Sequence, residues 1–447
     1  MDNNMIIKGL TEIVGEKYVA AQEFVRLTYT NDFSVSPPKV PVAVVKPGST
    51  EEIIKIMQFA NEHKIPVSPR GGGSAQEGGC LAVDGGIVLE TLRLNKILKI
   101  DEENGYVTVE AGVTFGRLMA ELEKRGWKIG IAPSGALAGT VGAHLSRPGV
   151  GWGNIRYVTQ GDQVLSVRAV LPDGTIVDTG TRSNPGAEPF FRYALGPDLT
   201  GLFIGAEGIY GIVTEATLRI YPNPEKVYIE RFKVAELDTA LKIFRDIAVQ
   251  DLVTFISAPL IKEKDLFFDV NIQGFSGEVD GRAEKVRSII NSYPGVESLG
   301  SEAPQSFWPN RWYHTGEEFL EGIAGVVNFF LPHSELGAGL RTMRQLIEKH
   351  GIKNYVQQLF PGPTGAEVVA LLFHYPKDQE EYQKIHRAIE EMMPKALQLG
   401  GAPYSKGRQW APYLEEQMRE TGYWSLGKAI KKLVDPNNIM NPGVIGF

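Results

Sequence analysis

Three glycine-rich loops hold the residue types whose spacing could do chemistry. The first, Arg70-Gly71-Gly72-Gly73-Ser74, follows the apolar Ile65-Pro66-Val67 and runs on through Gly78-Gly79. It lacks the Gly-Lys-Ser/Thr ending of a P-loop, and a Rossmann fingerprint begun at Gly71 needs glycine where Gln76 stands. What remains is a nest of backbone N–H groups beside Arg70 and Ser74, suited to a pyrophosphate. The second loop, Ala132-Pro133-Ser134-Gly135-Ala136-Leu137-Ala138-Gly139-Thr140-Val141-Gly142, continues into Ala143-His144. Its small residues let a flat ring lie against main chain, whose N–H groups can bond the ring's heteroatoms. In the third, Gly205-Ala206-Glu207-Gly208-Ile209-Tyr210-Gly211-Ile212-Val213-Thr214, a glycine turn leads onto a strand that begins at Ile212. Fifty glycines in 447 residues, about 11% against an ordinary ~7%, are gathered into such clusters. Either a large ligand is wrapped by main chain, or these are tight turns between short strands.

The elements around the loops can be read from pattern. Val42 to Val45 is a β-branched run. Ser49 and Glu52 have capping-box spacing, and Ile53, Ile54, Met57 and Ala60 follow at helical period. With the strand at 65–67, this makes a β-α-β unit that opens into the first loop. Strands are predicted at 86–89, 106–109, 164–170, 176–177 and 211–220, with a helix capped by Thr114 and closed at Gly126. Tyr221-Pro222-Asn223-Pro224 closes this part. Beyond it, strand and helix patterns alternate to residue 393, which suits a sheet covered on one face by helices, such as paired ferredoxin-like halves. Gly400-Gly401-Ala402-Pro403 marks a second boundary, and the end is rich in turn formers. The predicted organisation is a domain over 1–222, a second over 223–400, and a returning segment over 401–447.

Composition narrows the class. Hydrophobic residues make up 43% and charged residues 22%, an ordinary globular balance. The net charge of −7 argues against a nucleic-acid binder, which would carry a basic excess. One cysteine, Cys80, excludes an intrachain disulfide framework and a cysteine-held metal or iron–sulfur cluster within this chain. With Met1-Asp2-Asn3-Asn4 at its start no signal peptide is expected, and no apolar run approaches the ~18 residues of a membrane span. A cytoplasmic location is expected.

Taken together and in order, Pro69-Arg70-Gly71-Gly72-Gly73, Ala132-Pro133-Ser134 with Gly139-Thr140-Val141-Gly142, Asp198-Leu199-Thr200-Gly201-Leu202-Phe203-Ile204-Gly205-Ala206-Glu207-Gly208, and Asp435-Pro436-Asn437-Asn438-Ile439-Met440-Asn441-Pro442-Gly443 resemble the vanillyl-alcohol oxidase superfamily of FAD flavoproteins. The similarity covers residues ~38–222 and ~400–447. It leans toward the D-lactate dehydrogenase/glycolate oxidase FAD-subunit branch, with the aryl-alcohol oxidases next. It implies an α+β fold: a PCMH-type, two-subdomain FAD-binding domain plus a ferredoxin-like α/β substrate cap. It also implies that 70–79 hold the pyrophosphate, 132–144 the ribityl and isoalloxazine, and 205–213 (Glu207, Gly208, Gly211, Ile212, Val213) the adenosine side. Asn441 would approach the flavin.

The chain departs from the hydroxyacid branch at its metal site. That branch carries two histidines in a Gly-Asp-Gly-Asn-Leu-His-like segment and a later Glu-His-Gly. Here the stretches read Phe360-Pro361-Gly362-Pro363-Thr364-Gly365-Ala366-Glu367 and Tyr404-Ser405-Lys406-Gly407-Arg408. No catalytic metal is therefore expected. Trp308 and Arg311 resemble the branch's Trp-x-x-Arg, whose arginine grips a substrate carboxylate through its charged fork. Thr315 would add a hydroxyl. The alternative is that Arg311 pairs with Glu317 or Glu318. Tyr404, with Lys406 and Arg408, would line an anion pocket or simply be buried. His144 would be a base, a flavin attachment point or a hydrogen-bonding loop member.

The resemblance thus implies oxidation of a hydroxyl-bearing carbon by hydride transfer to flavin N5. A 2-hydroxy acid stands ahead of a benzylic alcohol as substrate, and electrons would pass to a separate electron-transfer flavoprotein or iron–sulfur subunit. The alternatives are an aryl-alcohol oxidase, favoured by Arg147-Pro148-Gly149-Val150-Gly151, and a non-catalytic FAD subunit of a redox complex. The oligomeric state stays open.

Overall fold

The computed structural model describes residues 2–32, 34–259, 264–308, 325–373 and 378–447. Its first lobe is a four-stranded sheet in the order Val19–Ala20, Val44–Val45, Ile87–Glu90, Val67–Arg70, with the last three parallel. Helices Asn3–Val14 and Thr50–His63 cover it, packing Ile6, Leu10, Ile53, Ile56 and Met57 against Val45, Val67 and Leu89. Glu52 N–H donates to Ser49 Oγ at 3.2 Å, and the Glu52 carboxylate accepts from Gly48 N–H at 2.6 Å, so the capping box closes one residue early. Val67–Arg70 is the sheet's edge. The C-terminal tail lies along it, with Val67 N–H donating to Ile439 O and Asn441 N–H to Val67 O.

The second lobe is antiparallel, in the order Ile97–Asp101, Tyr106–Glu110, Ile212–Pro222, Val164–Val170, Ile176–Asp178, with Trp127–Ile129 also beside Ile212–Pro222. Helix Phe115–Glu123 buries Phe115, Leu118 and Leu122 in its core, and Thr114 caps the helix as its hydroxyl position implies.

The third sheet has eight antiparallel strands: Val296–Gly300, Lys226–Glu236, Lys264–Gly274, Phe255–Pro259, Tyr355–Pro361, Gly365–Leu372, Gly325–Pro332, Ala402–Pro403. Along the chain these read β-α-β-β-α-β twice, the ferredoxin-like pairing, with the halves joined at Ala258 and Leu359. Four helices, Leu237–Ala248, Ser276–Asn291, Leu336–Lys349 and Gln379–Gln398, cover one face. Strand alternation decides the other face. In Gly365–Leu372, Ala366, Val368 and Ala370 enter the helical core, whereas Val369 and Leu371 belong to a separate cluster and Glu367 shares their face. Ala402–Pro403 still pairs with the cap through Phe329, and from Tyr404 the chain crosses to the glycine loops. Helix Asn3–Val14 and strands Phe255–Pro259, Val296–Gly300 and Tyr355–Pro361 went unread in the sequence. Gln357-Gln358, for instance, breaks the alternation that marks a strand.

Candidate cofactor and substrate site

The three loops meet around an open cleft walled by residues 69–75, 79–80, 142–143, 146–147, 207–208 and 211–213 and by Ser405. Glycine is needed here mostly for close approach. A Cβ on Gly72 would lie 1.8 Å from the Ala138 carbonyl oxygen, and one on Gly71 would lie 2.3 Å from Thr140 Oγ1. Gly208 stands likewise against Pro69. The first loop thus leans on the second, and the third leans on the strand that leads into the first.

The cleft suits FAD. Its walls are largely main chain and small side chains, and Glu207 is the one acidic residue among the described lining residues. That carboxylate is engaged elsewhere: it accepts from Ser405 Oγ–H at 3.0 Å, Lys406 N–H at 2.5 Å and Gly407 N–H at 2.8 Å. A diphosphate would therefore meet backbone amides and Arg70 rather than a free negative charge. Residues 70–74, Gly142, Ala143, Glu207, Gly208, Gly211, Ile212 and Val213 all line the cleft.

Other expected residues do different work. Pro133, Ser134, Gly135, Gly139 and Thr140 lie outside the lining; Ser134 and Gly135 are an exposed tip, and Thr140 Oγ1 is buried without a partner among the described residues. Asn441 is fully committed to the loops. Its amide N–H groups donate to Gly79 O at 2.8 Å and Glu207 O at 2.7 Å, and its oxygen accepts from Arg408 Nη2 at 2.9 Å. Arg408 donates otherwise to the carbonyls of Gly78, Leu81 and Pro442, and Lys406 Nζ to that of Gly205. The Lys406/Arg408 anion pocket therefore gives way to a strap that ties the tail to the loops, because main-chain carbonyls use the donors. His144 packs edge-on against Phe115 with ring centroids 5.1 Å apart, outside the cleft lining. Burial, with Arg147 nearby, holds its pKa down at about 3, so it is a poor proton acceptor. Arg311 and Thr315 lie outside the described residues.

A charged group that the sequence named only as part of the 147–151 segment, with no role of its own, sits beside Tyr404 on the cleft wall. Arg147 lines the cleft and stacks its guanidinium 5.7 Å from the centre of the Tyr404 ring. Its nearest counter-charge is Glu77, at 3.8 Å. Tyr404 is buried and accepts a long bond from Val150 N–H at 3.4 Å; burial raises its pKa well above the usual phenol range, so the hydroxyl stays protonated. Glu367, on the same side, accepts from Asn328 Nδ2 at 3.2 Å and is pushed up to about 7 by burial. A charged residue inside a small-residue loop, Arg147 after Val141-Gly142-Ala143, was the signal available in the sequence.

No group of three histidine, cysteine, aspartate or glutamate side chains gathers among the described residues. Exhaustive chelation should leave turnover unchanged, and a chelator-sensitive activity restored by zinc or manganese would contradict this.

Two family descriptions match the chain: "FAD binding domain" over residues 41–180 and "FAD linked oxidases, C-terminal domain" over 233–445. Glycolate oxidase subunit GlcD of Bacillus subtilis is 26% identical, covering 94% of this chain and 92% of its own. A D-lactate dehydrogenase of Archaeoglobus fulgidus is 26% identical, covering 92% and 94%. Among solved structures, p-cresol methylhydroxylase with substrate bound superposes with a TM-score of 0.87 at 20% identity over 99% of this chain and 96% of its own. A 4-ethylphenol oxidase of Gulosibacter chungangensis gives 0.86 at 20%, covering 99% and 97%. No helix among the described residues is long and apolar enough to cross a membrane.

Proposed function

We propose that this chain, which belongs to the vanillyl-alcohol oxidase (PCMH-type) superfamily of FAD-linked oxidases, oxidises a 2-hydroxy acid of the lactate or glycolate type to the 2-oxo acid. The observation that carries the substrate class is Arg147: a partly buried guanidinium on the cleft wall with no hydrogen-bond acceptor among the described residues, which a carboxylate would complete. Arg311, with Thr315, is proposed to bind the substrate carboxylate as the family resemblance implies. Bound FAD supplies the two-electron oxidant. The chain's own part is to hold the substrate still, exclude water and manage the hydroxyl proton. Tyr404, kept neutral, can donate a hydrogen bond to the substrate oxygen. Glu367, a buried carboxyl that burial inclines to hold a proton and that accepts from Asn328, is proposed to take up that proton. Electrons would leave through a separate electron-transfer protein, and the location would be cytoplasmic.

A second reading, an aryl-alcohol oxidase, is favoured by an aromatic cluster at the seam of lobe and cap. Trp152 lies 4.6 Å from Phe255 and 5.6 Å from Trp308 between ring centroids, and Phe255 lies 6.1 Å from Phe360. Anaerobic mixing of the flavin-loaded protein with D-2-hydroxy acids and with aryl alcohols separates the two, since the substrate bleaches the flavin. With a hydroxy acid, Arg311→Ala should lower kcat/KM by about 30-fold or more, from the ~2–5 kcal/mol typical of losing one partner of a buried charge pair. Arg311→Lys should also be impaired, because it loses the fork. With a neutral aryl alcohol, Arg311→Ala should change little, while Tyr404→Phe should be damaging. Intact hydroxy-acid turnover in Arg311→Ala would end the Arg311 clamp.

A further inference from the structure

Glu77 has no role in the account so far. Its side chain is fully buried, and among the described residues neither carboxyl oxygen has a hydrogen-bond partner. The chain holds it firmly: Glu77 O accepts from Gln409 N–H, and a Cβ on Gly407 would lie 1.8 Å from that oxygen. The Ser405 hydroxyl passes nearby but spends its proton on Glu207. A buried carboxyl without donors depends for its charge on its cation, which here is Arg147 at 3.8 Å. That separation exceeds hydrogen-bond length, so the guanidinium keeps its donors for something else.

We propose that Glu77 is the proton-linked counter-ion of Arg147: where it is charged, it takes up a proton from solvent when an anionic ligand occupies that guanidinium. This rests on the reading that Arg147 meets a carboxylate. With Arg147 shared between two anions, the buried one with no other donor is the one that neutralises. The surroundings favour this outcome. Glu207 and Asp32 add negative charge around Glu77, and burial together with those carboxylates sets its pKa at about 8 despite Arg147. Tyr404 faces the same group and stays protonated. Lys406, whose pKa burial lowers, is the other cation facing it.

The sign follows from linkage. Below pH ~8 Glu77 already holds its proton, so anion affinity should be flat with pH. Above it each binding event must bring one proton, so affinity should fall about tenfold per pH unit.

Oxalate is the probe, an anion with no C–H bond to oxidise. It is titrated into the flavin-loaded enzyme from pH 6 to 10, with Kd read from the flavin spectrum. Proton uptake is read by calorimetry at pH 9 in two buffers of different ionisation enthalpy. The expected result is a bend near pH 8 with close to one proton taken up, and a Glu77→Gln variant that binds without the bend and without uptake. A Glu77→Gln variant that keeps the slope would assign it to Lys406 and overturn the proposal. Oxalate binding with no proton uptake in the unaltered enzyme would also overturn it, whatever the variant does, and would leave the hydroxy-acid reading standing. Failure of oxalate to bind at any pH, with an aryl alcohol bleaching the flavin, would overturn both.

Discussion

Gly72→Val should yield protein that purifies without flavin. The added Cβ would sit 1.8 Å from the Ala138 carbonyl oxygen, which is backbone and cannot swing away. Either the first loop lifts off the second or the second is pushed outward, and both changes open the cleft wall. Overpacking of this kind typically costs about 1–3 kcal/mol. Here the cost falls on the loops that form the binding surface, so FAD retention should be lost before the fold is. Flavin absorbance per chain is the measurement. Gly135→Ala is the control, because a Cβ there meets nothing within 4 Å at an exposed tip. A Gly72→Val protein with full FAD content would remove the first loop from the cofactor site.

Lys431→Met should be the most destabilising change to the tail. Lys431 is buried in helix Gly422–Val434, and its ammonium donates to Ile209 O at 2.8 Å, Asp435 Oδ2 at 2.5 Å and Met440 O at 2.6 Å. Asp435 in turn accepts from Ile439 N–H at 3.0 Å and Met440 N–H at 2.8 Å. Methionine fills much of the same space but strands a buried carboxylate, which costs about 3–5 kcal/mol. Asn441 follows directly, so the loosened tail should also release the ties to Gly79 and Glu207. Urea unfolding should report the loss, and Lys431→Met with Asp435→Asn should recover part of it. A loss under about 1 kcal/mol would show that the pair does not hold the tail.

The sequence alone determined the local constraints. Glycine clusters marked where backbone approaches backbone or ligand, Ser49, Glu52 and Thr114 marked helix starts, and alternating patterns after Pro224 disclosed the two ferredoxin-like halves. Each is written in residues a few positions apart, because caps, turns and periodicity act over one or two turns of chain. The roles within the site were decided by the tertiary structure. Gly72 matters through Ala138; Asn441 and Arg408 prove to be ties; His144 is a packed ring; Glu77, Arg147 and Glu367 become important only once the fold brings them together. Those properties depend on segments that meet from far apart, as Glu207 meets Ser405 across 198 positions. Whether a charge keeps its water, and which partner replaces it, is set by that packing and by nothing within reach along the chain.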